Sequence, residues 1–168
     1  EPFGRWTVNS SAEALRALGG GLGAARSGLA TRILPVDHAA AEAALDRALG
    51  ETEARILLMT GLADAPAPRL ELVALRPAHR TDGPATRAGL WPWAAARDTM
   101  RALGAAPRLS RDAGRYVCET VYYAGLERLG GLQLAAFLHL PPVSETWPVP
   151  RLAAAVAACL EPATGRPG

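Results

Sequence analysis

The chain has 168 residues and a formal net charge of +2. That length favours one domain with a sizeable core, and hydrophobic residues at 49% against charged residues at 20% give a globular balance rather than a disordered one. So small a charge gives no argument for nucleic acid or an anionic membrane as a partner. No run approaches the length of a membrane-spanning helix, and no signal peptide is visible. The two cysteines, Cys118 and Cys159, have no metal-ligand spacing, and a reducing cytoplasmic setting is expected.

Ser10 and Ser11 stand before "AEALRAL" as candidate caps of a first helix that stops at "GGG". "ATRILPV" reads as a strand. "DHAAAEAALDRALG" reads as a helix with Asp37 as its N-cap and Gly50 past its end. "ARILLMTG" is a continuous apolar run, as a buried parallel strand requires. "RLELVALR" predicts a further strand and "PAHRTDGPATRAG" a polar loop. "LWPWAAARDTMRALG" carries a helix ending at Gly104, and "APRLS" a short strand. A glycine turn and a helix follow in "SRDAGRYVCETVYYAGLERLG". "LQLAAFLHLPPV" predicts a strand ending in prolines, and "PVPRLAAAVAACLE" the last helix. Helices and strands alternate throughout, which predicts a three-layer α/β/α fold with a mainly parallel, twisted central sheet. One domain is expected over residues 1–160, with a flexible tail over 161–168.

In such folds the active groups sit at the carboxyl ends of strands. Cys118 follows a short strand and a glycine turn at a helix start, where orphan N–H groups and the helix dipole favour a thiolate. His139 stands near the end of "AAFLHL". Glu71 lies inside an apolar strand, where a carboxylate is costly without a partner. A Cys, a His and an acid on separate elements suit a nucleophile, a base and an orienter. The plainer alternatives are a small buried cysteine, a hydrogen-bonded structural histidine and a glutamate on a wet face. His38 and His79 read as solvated, Cys159 as core, and Trp91 and Trp93 as packing or interface groups.

Seven segments, in order, resemble the pyroglutamyl peptidase I (pyrrolidone carboxyl peptidase) family of cysteine peptidases. "EPFGRWTVNSS" resembles the family opening "FxPFGG…VNPS". "ILPV" before a helix and "TGLA" after the central strand also match. "LELVAL" resembles "ERVAIN", "DGPATRAGLWPW" resembles "DGPAAYFSTLPI", "SRDAGRYVCETVYY" resembles "SxTAGTYVCNxxxY", and "AAFLHLPPV" resembles "GFIHIPYLP". The resemblance implies Cys118 as nucleophile, His139 as base and Glu71 as orienter, acting on peptides with N-terminal pyroglutamate. It implies no metal and no organic cofactor, and family members often form homo-oligomers. Phe3, Asn9, Tyr116 and Val117 match positions at the family's apolar substrate pocket.

The chain also departs from the family pattern. The strand that precedes the family opening has no counterpart, so a truncated or divergent member is expected. The loop after Glu71 is short, with Arg76 where the family has asparagine, and "DAP" stands for "GGR" after the central strand. Glu119 replaces the asparagine after the nucleophile, and a carboxylate there opposes thiolate formation unless it points away. The competing readings are therefore a different Cys-dependent amidase or acyl-transfer enzyme, and a peptide-binding relative without catalysis.

Overall fold

A computed structural model of the chain describes residues 6–19 and 28–165. Helix α1 spans Ser10–Gly19. Its cap is Asn9, not Ser10 or Ser11. Asn9 Oδ1 accepts the Ser11 N–H at 3.1 Å, the Ala12 N–H at 3.4 Å and the Ser11 hydroxyl at 2.7 Å. The expected caps are buried inside the helix. An amide or carboxylate one residue earlier satisfies two orphan donors at once, and that decides the start. Asn9→Ala is expected to cost about 1 kcal/mol, read as a fall in Tm of roughly 2–4 °C. Ser10→Ala should cost less, because Ser10 Oγ is buried with no hydrogen-bond partner among the described residues. Equal losses from the two would refute Asn9 as the cap.

Helix α2, His38–Gly50, starts as the sequence suggests, with Asp37 accepting from the Ala40 N–H at 2.8 Å. The segment before it is not the expected strand. Residues 29–36 make no ladder, and Ile33 and Val36 are exposed. An apolar β-branched run becomes a strand only where a neighbour takes its backbone groups. Among the described residues, no strand pairs with this segment.

The main sheet has four strands. Strand β1, Ile56–Leu62, pairs in parallel with β6, Leu134–Leu140. Strand β2, Arg69–Glu71, is antiparallel to β6, and β5, Arg108–Ser110, runs parallel to β2. The order is β1-β6-β2-β5, so two of its three pairings are parallel and the sheet is mainly parallel as expected. The single strand foreseen over "RLELVALR" is two. Leu72 leaves the sheet, its N–H bonded to Ser110 O and its carbonyl to Gly89 N–H. Strand β3, Val73–Leu75, then pairs antiparallel with β4, Thr86–Ala88, in a separate two-stranded ribbon. Thus β4 arises inside the segment read as a polar loop.

Helices α3, Trp93–Ala102, α4, Val117–Glu127, and α5, Val149–Thr164, complete the chain. Alternation along β6 separates two cores. Ala136, Leu138 and Leu140 pack with α1, α3 and α5. Ala135 and Phe137 pack with α2 and α4. His139 shares the parity of Phe137 and therefore faces α4. Three layers result, as the alternation of elements implies. Trp91 is a packing group: it is buried and its Nε1–H donates to Cys159 O at 3.2 Å. Cys159 is core, and both cysteines are free thiols. Helix α5 runs to Thr164, beyond the expected tail boundary. Its buried stripe of Leu152, Ala155, Val156 and Cys159 holds it on the sheet, and Gly165 at φ 64° ends it. Among the described residues, no helix is long and apolar enough to cross a membrane.

Candidate active site

Strand β5 leads into α4 through a tight turn. Asp112 Oδ1 accepts the Gly114 N–H at 2.9 Å, and Gly114 holds φ 87°, a left-handed conformation that favours glycine. Tyr116 is the extended N-cap residue of α4, which makes Cys118 its second helical residue. The sequence reading of a cysteine at a helix start behind a glycine turn therefore holds.

Strand register brings the other groups to Cys118. Gly61 of β1 lies opposite His139 of β6. Glu71 of β2 lies opposite Phe137, one diagonal step from His139 on the same face. The Glu71 carboxylate bridges that step: His139 Nδ1 is 2.8 Å from Glu71 Oε1. Both side chains are buried. The acid therefore reaches the histidine from a strand that runs against β6, not from the carboxyl edge of a parallel sheet. The Phe137 and His139 rings are 4.7 Å apart, so Phe137 backs the imidazole.

Gly61 opens the space that the thiol occupies. A Cβ at Gly61 would fall 2.8 Å from Cys118 Sγ and 3.0 Å from Phe137 Cζ. The thiol thus lies over β1 at the rung that carries His139. Gly61→Ala is expected to destabilise the protein by about 1–3 kcal/mol through overpacking. It should also slow alkylation of Cys118 by iodoacetamide. Unchanged thermal unfolding and unchanged thiol reactivity would remove Gly61 from the site.

The charges around the thiol are mostly negative. Burial pushes the Cys118 thiol up to about 11, and the Glu71 and Glu119 carboxylates add to the rise, while Arg69 opposes it. The lowering expected from the helix start is outweighed by desolvation. Glu71 also pairs with Arg69, whose Nε is 3.3 Å from Oε1. Glu119 is among the groups that act on the thiol. It is buried, and its Oε1 accepts the Leu75 N–H at 2.6 Å.

Cys118 lines a cleft of about 1440 Å³ together with Asn9, Tyr116 and Val117. His139 and Glu71 sit behind it and do not line it. Tyr116 is 62% exposed, which puts it at the rim of the cleft. Asn9 lines the cleft and also caps α1. Phe3 lies outside the described residues. Arg76 and Arg80 are engaged elsewhere. Arg76 bonds Gly83 O at 2.9 Å, and Arg80 pairs with Glu42, Asp82 and Glu127. His38 and His79 are exposed, as read. Among the described residues, no group of three or more His, Cys, Asp or Glu side chains could hold a metal ion.

Sequence reasoning passed over three contributors. In the sequence Gly61 only bounds an apolar run and falls within the "TGLA" match, with nothing to give it a role at the thiol. Arg69 precedes Glu71 by two residues, and that spacing on a strand puts both on one face. Tyr122 is the third; its hydroxyl donates to the Glu71 carbonyl at 2.6 Å and fixes the backbone that carries the acid.

The fold and site together define a three-layer α/β protein with a Cys, a His and a Glu gathered on one sheet face. No protein-family model matches the chain. Among solved structures, pyrrolidone carboxyl peptidase from Thermus thermophilus is 31% identical, with a TM-score of 0.77 over 96% of this chain and 95% of that one. The chain belongs to the pyrrolidone carboxyl peptidase family. Pyroglutamyl peptidase I from Bacillus amyloliquefaciens superposes with a TM-score of 0.86 over 99% of the chain and 94% of that structure, at 21% identity, which speaks for the fold alone. Pyroglutamyl-peptidase 1 of Rattus norvegicus is 36% identical over 69 residues, 41% of this chain. That match spans only 32% of the rat protein. Pyrrolidone-carboxylate peptidase of Pseudomonas fluorescens is 29% identical over 86% of this chain and 76% of its own length.

Proposed function

We propose that the chain is a cysteine peptidase that removes N-terminal pyroglutamyl residues from peptides, with Cys118 as nucleophile, His139 as base and Glu71 as orienter. The observation that carries the reading is the 2.8 Å bond from His139 Nδ1 to buried Glu71, made at the rung where Cys118 Sγ lies over Gly61. With Nδ1–H donated to Glu71, Nε2 keeps its lone pair for the thiol. Because the resting thiol is protonated, attack and proton transfer go together.

Cys118 Sγ bonds to the pyroglutamyl carbonyl carbon while its proton passes to His139 Nε2. The imidazolium stands against the Glu71 carboxylate. N–H groups in the first turn of α4 receive the developing oxyanion. The amide C–N bond then breaks, and the leaving amine takes the proton from Nε2. Water, deprotonated by the same nitrogen, attacks the thioester, releases pyroglutamate and restores the thiol. Three side chains and water balance every step, so the mechanism calls on no metal or organic cofactor. Tyr116 and Val117 flank the acyl group, and Asn9 organises the loop beside it. The setting we assign is cytoplasmic, with both cysteines reduced, and the unit is a single domain that acts on a peptide and calls on no nucleic acid or membrane.

Purified protein given pyroglutamyl-aminomethylcoumarin and alanyl-aminomethylcoumarin tests the reading. Release from the first and not the second is expected, with loss of activity in step with carbamidomethylation of Cys118. No release from a protein with native circular dichroism would reject the reading. Release of a different acyl group would favour the amidase alternative, for which the buried charge of Glu119 beside the thiol speaks.

A further inference from the structure

Glu119 follows the nucleophile in the first turn of α4 and is 4% exposed. Its Oε1 accepts the Leu75 N–H, which ties the β3–β4 ribbon to the helix that carries Cys118. Its Oε2 is buried and has no hydrogen-bond partner among the described residues. The titratable groups that act on it or feel it are Glu71 from β2, Asp112 from the turn before α4, and Cys118 and Tyr122 from its own helix. None of these offers it a cation. Arg69 is paired to Glu71, while Arg76 and Arg80 are engaged within their own loop and with α2 and α4. A neutral carboxyl keeps the Leu75 bond through its carbonyl oxygen. An ionised one keeps that bond too, but adds a second buried negative charge beside the thiol.

We propose that Glu119 is a pH-sensing positioning residue: it docks the β3–β4 ribbon on the nucleophile helix in either state, and its ionisation restrains Cys118 from becoming a thiolate. This rests on Cys118 being the nucleophile. Burial, with Asp112 and Glu71 nearby, pushes the Glu119 carboxyl up to about 7, so the restraint switches on across neutral pH. The same carboxylate is among the causes that raise Cys118.

The test is the rate of Cys118 alkylation by iodoacetamide from about pH 5 to pH 12, read by mass spectrometry of the Cys118 peptide. It needs no peptide substrate, so it stands whether or not pyroglutamyl release is found. Glu119→Gln preserves the acceptor for Leu75 and removes the charge. The midpoint is expected to move down by about one pH unit, with roughly tenfold faster alkylation between neutral pH and that midpoint. Wild-type protein should show a shallow step near neutral pH that the variant lacks. A midpoint and slope unchanged in Glu119→Gln would overturn the proposal. If that variant fails to fold, the wild-type profile decides: a single step, with none near neutrality, overturns it as well. Stability gives an independent reading. A buried acid raised from 4.5 to about 7 costs stability as pH climbs through that window. Wild-type Tm should therefore fall between those values more than the Tm of Glu119→Gln, and parallel curves would count against Glu119 titrating there.

Discussion

Cys118→Ala is expected to abolish pyroglutamyl release, with a loss of at least about 10⁴-fold, while leaving the fold intact. The reason is local. Cys118 is half-buried and lines the cleft, and its replacement deletes one heavy atom from a side chain only partly packed into the core. Little packing is lost, so Tm should hold, and the variant separates chemistry from stability. The other cysteine supplies the contrast. Cys159 is fully buried in the α1–α3–α5 core and is not in the cleft. Cys159→Ala should cost on the order of 1 kcal/mol in stability and leave turnover unchanged. Activity retained by Cys118→Ala, or lost equally by both variants, would reject Cys118 as nucleophile.

Where a segment's structure is decided by its own residues, it was legible in the sequence. Asp37 announced α2, the unbroken run at 56–62 announced a buried strand, and Gly114 announced the turn into α4. Glu71 and His139 stood out too, since a carboxylate and an imidazole on apolar strands need a partner, and here each partners the other. What was not legible depends on neighbours. The direction of β2 is set by pairing with β6, and three residues carry no signal of it. Residues 29–36 have strand-like composition but no ladder partner among the described residues. Strand β4 forms because β3 leaves the sheet and offers it an edge. The cap of α1 went to Asn9 through geometry that "NSS" does not distinguish.

The site repeats that division at the level of charge. A cysteine at a helix start suggests an activated thiolate, because the helix terminus is visible in sequence. Burial and the sum of neighbouring charges are not visible, and here they win: Cys118 is raised rather than lowered. Gly61 was missed for the same reason, since its role exists only once β1 and α4 are brought together.

Glu71→Gln is the second large effect, and it distinguishes two roles for the acid. If Glu71 orients His139 and stabilises the imidazolium, the variant should lose about 10³–10⁴-fold in kcat, with KM little changed. Glutamine keeps the volume and can still accept from Nδ1–H, so geometry survives and charge does not. Its effect on the thiol runs the other way. Glu71 is one of the groups that hold Cys118 protonated, and Arg69, which favours the thiolate, would be released from its ion pair. Alkylation of Cys118 in Glu71→Gln should therefore reach its midpoint at lower pH, even as hydrolysis collapses. A thiol that becomes easier to ionise in an enzyme that turns over far more slowly places the value of Glu71 in the charged imidazole, not in activating the sulfur. Hydrolysis within about threefold of wild type would instead make the 2.8 Å Glu71–His139 bond a structural contact.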